Sequence, residues 1–426
     1  MSGLSSLSVP LGKAVRALSR LRGGGSAFPG LVVERIDPGF MARALRDLPR
    51  GVVVVSGTNG KTTTTKMVVE LLEGQGLKVF TNRTGSNFTR GVAAALLGDV
   101  DWRGRLKADV AVLELDEAHA VHFVNLVPPT HCLLLNVLRD QLDRFGEIDK
   151  TTRLLEQIAV KTTGTVVLNR EDPRVASIAS SVKNATVAYF GLNEGLRDTF
   201  PSDDELRGAT GTAPASRLPA DVVLETVDSN TASFSMDGES STVELSLRGV
   251  YNIFNAAAAL AMARVVLGKD ARREALLNSL AAVEPAFGRG ESLVVDGQPL
   301  ELVLVKNPSG FRLGLKSFDA TGYATMIAIN DNYADGRDMS WLWDVDFDTL
   351  REAGVDMVSG VRAYDMALRL KYDDVSVADI DTDTGSALRT FIHSAKGRPK
   401  RIFCTYTAML AIRRDLSRIT EVKVVS

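Results

Sequence analysis

The stretch "VVVVSGTNGKTTTTKMVVELL", from Val52 to Leu72, constrains this chain more than any other. Four valines followed by Ser56 read as a strand buried on both faces, the kind found inside a parallel sheet. A glycine turn follows, then a helix whose apolar positions include Met67, Val68, Leu71 and Leu72. A strand, a glycine turn and Gly-Lys-Thr opening a helix make a phosphate loop. This one is a residue shorter than the usual Walker pattern, because the place of the first glycine is taken by Val55, still in the strand. Gly57 and Gly60 let backbone approach a ligand closely. The helix starting at Lys61-Thr62-Thr63 points free N–H groups and its positive dipole end into the turn. Lys61 adds a charge for terminal phosphates and Thr62 a hydroxyl for magnesium. Gly57, Thr58, Asn59, Gly60, Lys61, Thr62 and Thr63 are therefore the expected nucleotide contacts. An ordinary turn before a capped helix is the plain alternative, and packing alone gives no reason for the lysine.

From Gly51 onward, strands and helices alternate. "LKVFTN", "DVAVLELD", "THCLLLNV" and "GTVVLNRED" are further β runs. This order predicts an α/β fold whose central parallel sheet is covered on both faces. Residues 196–242 are polar and rich in small side chains, and read as a loose insertion or hairpin excursion. After Asn255 comes the alanine-rich helix "NAAAALAMARVVLG". Around Gly288-Arg289-Gly290 the composition turns loop-like. A second α/β pattern follows in "LELVLVKN", "YATMIAIND", "VDMVSGV", "DVSVADID" and "KRIFCTY". The expected division is an N-terminal helical, basic segment over 1–50, a nucleotide-binding domain over 51–287, and a smaller, Rossmann-like C-terminal α/β domain over 288–426.

The first fifty residues carry eight Lys/Arg against three Asp/Glu. In "LGKAVRALSRLRGGG", Leu11, Val15, Leu18 and Leu21 share one helical face, with Lys13, Arg16, Arg20 and Arg22 mostly on the other. Such a helix either rests on an anionic membrane or packs on its own protein with a solvated basic edge. Elsewhere charge says little: the net charge of −2 gives no drive towards nucleic acid. No apolar run approaches the ~20 residues of a membrane span, and no secretory leader is read at the N-terminus. Cys132 and Cys404 sit in strand-like runs and read as buried free thiols of a reducing cytosol. His119, His122, His131 and His393 are scattered without zinc-ligand company.

Two further stretches bear on chemistry. In "VAVLELDEAH" a strand delivers Glu114 and Asp116 to one face and leaves Glu117 at its mouth. Carboxylates at the carboxyl end of a parallel strand beside a phosphate loop are natural magnesium ligands. In "LLNVLRDQLDRFGEID" a strand ends at Asn136, and a polar turn with Arg139, Asp140, Gln141 and Asp143 follows. By itself that turn reads equally well as a solvated loop.

The segments "GTNGKTT", "LELDE", "NVLRDQLDRFG", "LNRED", "GVYNIFNAAAA" and "GRGE" occur in the order seen in the Mur ligases. These are ATP-dependent enzymes that include the folylpolyglutamate synthases, and the short loop is that family's own form. More narrowly, "RDQLDRFGEID", "LVKNPSGF" and "INDNYADGRDMSWLWDVDF" resemble the MurT type, the ligase subunits of lipid II isoglutaminyl synthase, which work with a glutaminase called GatD. The resemblance runs from Val52 to the C-terminus.

The resemblance implies that ATP binds between the central and C-terminal domains. It implies phosphorylation of the α-carboxylate of D-glutamate in the lipid II stem peptide, followed by attack of ammonia to leave D-isoglutamine. Lys61 and the loop amides would hold the phosphates. Thr62 and Glu114, with Glu117 as the alternate, would hold magnesium. Asn252 and Asn255 match the family's adenine-side asparagines, and Arg289 its hinge arginine that approaches the nucleotide. A glutaminase partner would supply ammonia, its Cys-His site completed by an aspartate from this chain. Asp335, Asp338, Asp344 and Asp346 are the candidates, with Asp344 favoured, and Trp341 and Trp343 beside it suit a partner interface. The implied setting is the cytoplasm, at the inner face of the membrane that holds lipid II.

Departures from the family are informative. Asp140-Gln141 stands where amino-acid-adding ligases have Asp-His, which leaves a second magnesium open. "VLVKNP" stands where they have Asp-Tyr-Ala-His-Asn-Pro, so Val303 replaces the ribose-binding aspartate and Lys306 the histidine. Both changes follow the MurT pattern and argue that the acceptor is not an amino acid. Lys150 and Lys161 are the candidates for a carbamoylated lysine. Many MurT proteins carry a four-cysteine zinc ribbon, but residues 190–240 here hold no cysteine, so no zinc is expected. The competing readings are a stand-alone ligase adding an amino acid, and a nucleotide-binding scaffold without catalysis.

Overall fold

The computed structural model describes residues 5–21, 28–82, 87–138, 148–200, 218–228, 231–246, 249–284, 289–317 and 321–422. Helices α1 (Ser5–Leu21), α2 (Phe28–Ile36) and α3 (Phe40–Leu45) lead into β1 (Val52–Ser56) and α4 (Lys61–Glu73). Next come β2 (Val79–Thr81), α5 (Thr89–Asp99), β3 (Val110–Glu114), α6 (Glu117–Leu126), β4 (His131–Leu134), α7 (Ile148–Lys161) and β5 (Thr165–Asn169). Then follow α8 (Pro173–Ser177), β6 (Thr186–Leu192), β7 (Val222–Asp228), β8 (Thr231–Met236), β9 (Glu239–Glu244), α9 (Val250–Leu267) and α10 (Arg273–Ala282). Among the described residues these strands form one sheet in the order β2-β3-β1-β4-β5-β6-β7-β8-β9. Pairing is parallel through β7 and antiparallel for β8 and β9.

The valine run explains the layering. Every residue of β1 is buried, and its side chains alternate between two cores. Val53 and Val55 join Met67, Leu71, Ala257 and Leu260 under α4 and α9. Val52 and Val54 join Leu96, Phe123 and Ile158 under α5, α6 and α7. Burying a valine fully is worth roughly 1.5–3 kcal/mol, so this strand anchors both faces. Chain order reverses beside β1: β2 and β3 build out on one side, β4 onward on the other. That is a topological switch point, where α/β sheets open a crevice at the carboxyl ends of their strands.

A second sheet follows, β10-β11-β15-β12-β13-β14, antiparallel at β10/β11 and parallel elsewhere. Its elements are β10 (Arg289–Val295), β11 (Gln298–Leu304), α11 (Pro308–Ser317), β12 (Ala324–Ala328), β13 (Met357–Ser359) and α12 (Ala363–Tyr372). They continue with β14 (Ile380–Asp381), α13 (Thr384–Ser394), β15 (Lys400–Cys404) and α14 (Tyr406–Leu416). One face packs Phe311, Trp341, Phe347 and Leu370, the other Phe391, Met409 and Ile412.

Several sequence expectations need correction. Of the two readings of 196–242, the hairpin excursion describes its second half: β7, β8 and β9 are consecutive strands joined by antiparallel hairpins that extend the main sheet, while residues 201–217 lie outside the described ones. Arg289 opens β10 instead of lying in a loop, with a register shift between Arg289 and Glu291 where Gly290 intervenes. β4 ends at Leu134, two residues before Asn136. "DVSVADID" contributes only Ile380–Asp381 as strand. An apolar stretch long enough to cross a membrane does exist, at Tyr251–Asp270, but most of it is buried inside the protein, as in a core helix. α1 is rotated relative to expectation. Ser8, Val9 and Gly12 face the protein, while Leu11 and Leu18 are 47% and 57% exposed. Lys13 donates to Val100 O at 2.8 Å, so the basic edge is partly turned inward.

Candidate active site

The turn after β1 is built for close approach. Gly57 has φ +134° and Gly60 φ +86°, values that disfavour any side chain. A Cβ on Gly60 would stand 2.7 Å from Asn255 Oδ1, so the second turn of α9 presses on the loop. Asn136 holds the loop from the other side. Its Oδ1 accepts from Asn59 N at 2.8 Å, its Nδ2 donates to Asn59 O at 3.0 Å, and its carbonyl accepts from Thr58 N at 3.0 Å. Thr58 Oγ1 donates to Leu138 O at 3.2 Å and accepts from Leu138 N at 3.0 Å.

No side chain caps α4, whose N-cap Gly60 is left-handed. The first N–H groups of the helix therefore face the turn without a capping oxygen. Thr63 Oγ1 is buried and finds no hydrogen-bond partner among the described residues. A polyphosphate supplies acceptors for both, so the loop fits the terminal phosphates of a nucleotide.

Lys61 lies over this turn, buried. Its Nζ donates to Gly57 O, to Thr58 O at 3.2 Å and to Glu117 Oε1 at 3.2 Å. Thr62 Oγ1 donates to Glu114 Oε1 at 2.9 Å. Glu114 is fixed in turn by Asn82, whose Oδ1 accepts from Glu114 N at 3.0 Å and whose Nδ2 donates to Glu114 O at 2.8 Å. The magnesium candidates are thus divided: Glu114 meets Thr62, and Glu117, the first residue of α6, meets Lys61. Asp116 is the N-cap residue of α6 and not part of the strand. Thr62 and Glu114 offer the hard oxygens a magnesium ion takes. Among the described residues no cluster of three or more His, Cys, Asp or Glu has metal-site geometry.

The second sheet reaches the loop through the residues after β11. Asn59 Nδ2 donates to Asn307 Oδ1 at 3.3 Å, and Asn307 Nδ2 donates to Asn59 Oδ1 at 2.9 Å. Lys306 Nζ lies 3.5 Å from Thr58 O. The Arg289 side chain and residues Arg139, Asp140, Gln141 and Asp143 lie outside what the structure describes. Asn252 sits in the first turn of α9 beside Asn255. Lys150 and Lys161 are exposed at the two ends of α7.

The four candidate aspartates separate cleanly. Asp335 is buried and accepts from Thr407 N at 2.7 Å and from the Thr407 hydroxyl. Asp338 accepts from Ser340 N at 2.9 Å, and its hydrogen bonds to Ser340 hold its carboxyl below the usual range. Asp346 pairs with Arg312 at 3.3 Å. Asp344 is exposed at the end of a short 3-10 turn, Ser340–Asp344. Trp341 is buried against Phe311, so the interface expectation fails for it. Trp343 is 49% exposed and stacks edgewise on Tyr372, with ring centres 5.2 Å apart. Tyr364, Leu368 and Tyr372 form an exposed stripe along α12.

Both cysteines are fully buried. Burial pushes the Cys132 thiol up to about 12, and Cys404 is raised for the same reason. Neither is a thiolate at neutral pH.

Asn82, Asn136 and Asn307 escaped the sequence reading as site residues. Each works by holding another residue's backbone or amide, across gaps of 32, 77 and 248 residues.

Similarity to known proteins agrees with this geometry. A model of the Mur ligase middle domain matches residues 55–263, and a model of the MurT ligase C-terminal domain matches residues 304–409. The lipid II isoglutaminyl synthase (glutamine-hydrolyzing) subunit MurT of Streptococcus pneumoniae is 31% identical over 94% of this chain and 94% of its own. The subunit of the same name from Staphylococcus aureus (strain COL) is 26% identical over 87% of this chain and 88% of its own. Among solved structures, a MurF from Acinetobacter baumannii superposes with a TM-score of 0.70 at 19% identity, covering 92% of this chain and 80% of that one. MurF ligase from Thermotoga maritima in complex with ADP gives 0.67 at 18%, covering 90% and 83%. At these identities the structures speak for the fold.

Proposed function

The chain belongs to the MurT type of Mur ligase, and we propose that it is the ATP-using subunit of an enzyme that turns the D-glutamate α-carboxylate of the lipid II stem peptide into D-isoglutamine. The observation that carries this reading is the uncapped start of α4, with Lys61 over the turn and Thr62 bonded to Glu114. Gly57, Thr58, Asn59, Gly60, Lys61, Thr62 and Thr63 hold the phosphates. By the family resemblance Asn252 and Asn255 would serve the adenine side, and Arg289, at the start of the C-terminal domain taken as 288–426, would be the hinge arginine. Thr62 and Glu114, with Glu117 as the alternate, would hold a magnesium ion, which would supply positive charge to offset that of the phosphoryl group in transfer.

A carboxylate acylates nothing by itself, because its leaving group would be oxide. Its oxygen attacks the γ-phosphorus of ATP, and the bond to the bridging oxygen breaks as ADP leaves with the electron pair. Ammonia then attacks the acyl carbon, phosphate departs with the C–O electrons, and the nitrogen sheds a proton to give the amide. The role of Lys61 is to stabilise the charge that passes across the transferring group.

Ammonia reacts only in its neutral form, and this chain has no exposed thiol among its two cysteines to release it from glutamine. A glutaminase of the GatD type is the partner. The stripe of Tyr364, Leu368 and Tyr372 with Trp343 suits its docking, since aromatic side chains anchor interfaces, and Asp344 at its edge completes the partner's site. Leu11, Leu18 and Trp102, with Arg103 and Arg105 exposed nearby in sequence to the tryptophan, suit peripheral contact with the cytoplasmic membrane face where lipid II resides.

The test is ADP release by the purified chain and its partner in mixtures of lipid II with glutamine, with ammonium, or with free amino acids. Release that needs lipid II and either nitrogen source supports the reading. Release only with an amino acid selects a stand-alone ligase, and none in any mixture selects a scaffold.

A further inference from the structure

We propose that Asn169 and Asp172 are positioning residues for the phosphate loop, which they hold from outside through residues 135–138. The proposal rests on the reading of that loop as the ATP site and adds to it two residues from the turn after β5.

Residues 135–138 run between the loop and that turn. On the loop side, Leu135 N donates to Ser56 O at 3.1 Å and Thr58 N donates to Asn136 O at 3.0 Å. The Asn136 side chain grips both the N–H and the carbonyl of Asn59. Thr58 Oγ1 meets both backbone groups of Leu138. On the other side the sheet has run out, because the β4–β5 ladder ends at the pair Leu134 and Leu168. Side chains continue it. Asn169 Nδ2 donates to Leu135 O at 2.8 Å, and Val137 N donates to Asp172 Oδ2 at 2.7 Å. Both bonds are buried, so no water replaces a partner that is removed. Asn136, which clamps Asn59, lies between these two tethers.

The chemistry of Asp172 separates tether from cap. In the chain, Asp172-Pro173 reads as a plain helix start. Its Oδ1 accepts from Arg174 N at 2.9 Å and from Val175 N at 3.1 Å, the N-cap bonds of α8. One oxygen suffices for that, and asparagine or serine caps as well. The second oxygen goes to Val137. Only a carboxylate has an acceptor for each task. An asparagine that keeps its oxygen on the helix turns an N–H donor towards Val137 N–H. Asn169 is shared in the same way: its Oδ1 accepts from Glu171 N at 2.9 Å, which leaves Nδ2 for Leu135 O. The two residues set the path of 135–138, that path sets Asn136, and Asn136 sets the backbone of Thr58 and Asn59. Neither Asn169 nor Asp172 needs to touch the nucleotide.

The experiment uses the full chain with its partner. Calorimetry reads Mg-ADP binding, hydrogen exchange reads the amides of Thr58 and Asn59 without nucleotide, and thermal melts read stability. Asp172→Asn and Asn169→Ala should each weaken Mg-ADP about fivefold or more and speed exchange at Thr58 and Asn59. Val175→Ala trims a buried side chain of α8 and leaves both tethers in place, so it controls for lost stability alone. It should lower the melting temperature, keep Mg-ADP affinity within about twofold, and leave exchange at Thr58 and Asn59 unchanged. In an Asn136→Ala background, Asp172→Asn should add less than about twofold, because the link through which it acts is gone. Should Asp172→Asn fail to fold, Asp172→Ser, which caps with a single oxygen, takes its place. Wild-type affinity and exchange in the Asp172 variant, an equal loss in Val175→Ala, or full additivity with Asn136→Ala overturns the proposal. Absence of Mg-ADP binding by wild type would sink the ATP reading, while exchange at Thr58 and Asn59 still decides whether the turn after β5 holds the loop.

Discussion

Thr62, in the first turn of α4, and Glu114, the last residue of β3, are joined by a hydrogen bond of 2.9 Å. Glu114 is the register partner of Val55, and Thr62 lies one turn of loop beyond it. The hydroxyl and the carboxylate are thus set side by side by the sheet, before any ion is considered. Asn82 clamps the backbone of Glu114 in that place.

Glu114→Gln should keep the fold and this hydrogen bond but remove the charge that magnesium needs. A magnesium titration of ATP turnover should show half-saturation shifted upward and kcat down about a hundredfold. An unchanged magnesium requirement would move the ion to Glu117.

Lys61 and Glu117 form a buried pair at 3.2 Å, with side chains 8% and 3% exposed. Lys61→Met should abolish turnover and also cost roughly 3–5 kcal/mol of stability, because a buried carboxylate loses its cation. The double variant Lys61→Met/Glu117→Gln should regain most of that stability and none of the activity. Urea melts beside the turnover assay separate the two effects.

Asp344→Ala should spare the reaction driven by ammonium and lose the one driven by glutamine, since only the second needs the partner's nucleophile. Asp335→Ala should behave differently. It strips acceptors from Thr407 N and from the Thr407 hydroxyl, and should lower stability by about 1–3 kcal/mol. Survival of the glutamine reaction in Asp344→Ala would shift the role to Asp338 or Asp346.

His131 offers a pH test of the fold. Burial lowers its pKa to about 4, so the folded protein keeps the ring neutral while the unfolded chain protonates below 6.5. Stability should therefore fall as pH drops from 6.5 to 4, by roughly 2 kcal/mol in all for a partly exposed ring. Burial raises Asp172 to about 6, which acts with the opposite sign in the same window. The comparison with His131→Asn isolates the histidine: the variant should lose less stability than wild type on acidification, as read by denaturant melts at each pH.

The sequence announces the phosphate loop and the main sheet plainly, because four consecutive valines admit few fates and Gly-Lys-Thr after a buried strand admits fewer. It misleads at α1, where side-chain hydrophobicity points to Leu11 and Leu18 but backbone proximity decides. A Cβ on Gly12 would sit 2.5 Å from Val33 Cγ2, so small residues face the protein and the leucines turn out. Gly290 made the start of β10 look like a loop, when it marks an irregularity in a hairpin. The asparagine clamps were illegible for a different reason. Asn59 and Asn307 are 248 residues apart, and nothing local to either says that they meet. Trp341 and Trp343 look alike in the chain, yet the short helical turn sends one into the core and leaves the other on the surface.

The most direct measurement is mass spectrometry of the lipid II stem peptide after incubation with the chain, its glutaminase partner, ATP and glutamine labelled with nitrogen-15 in the side-chain amide. The account predicts one labelled carboxamide per stem peptide at the D-glutamate α-carboxyl, dependent on ATP and on Lys61. An unmodified carboxylate in the presence of ATP, or an added amino acid in place of the amide, would contradict it.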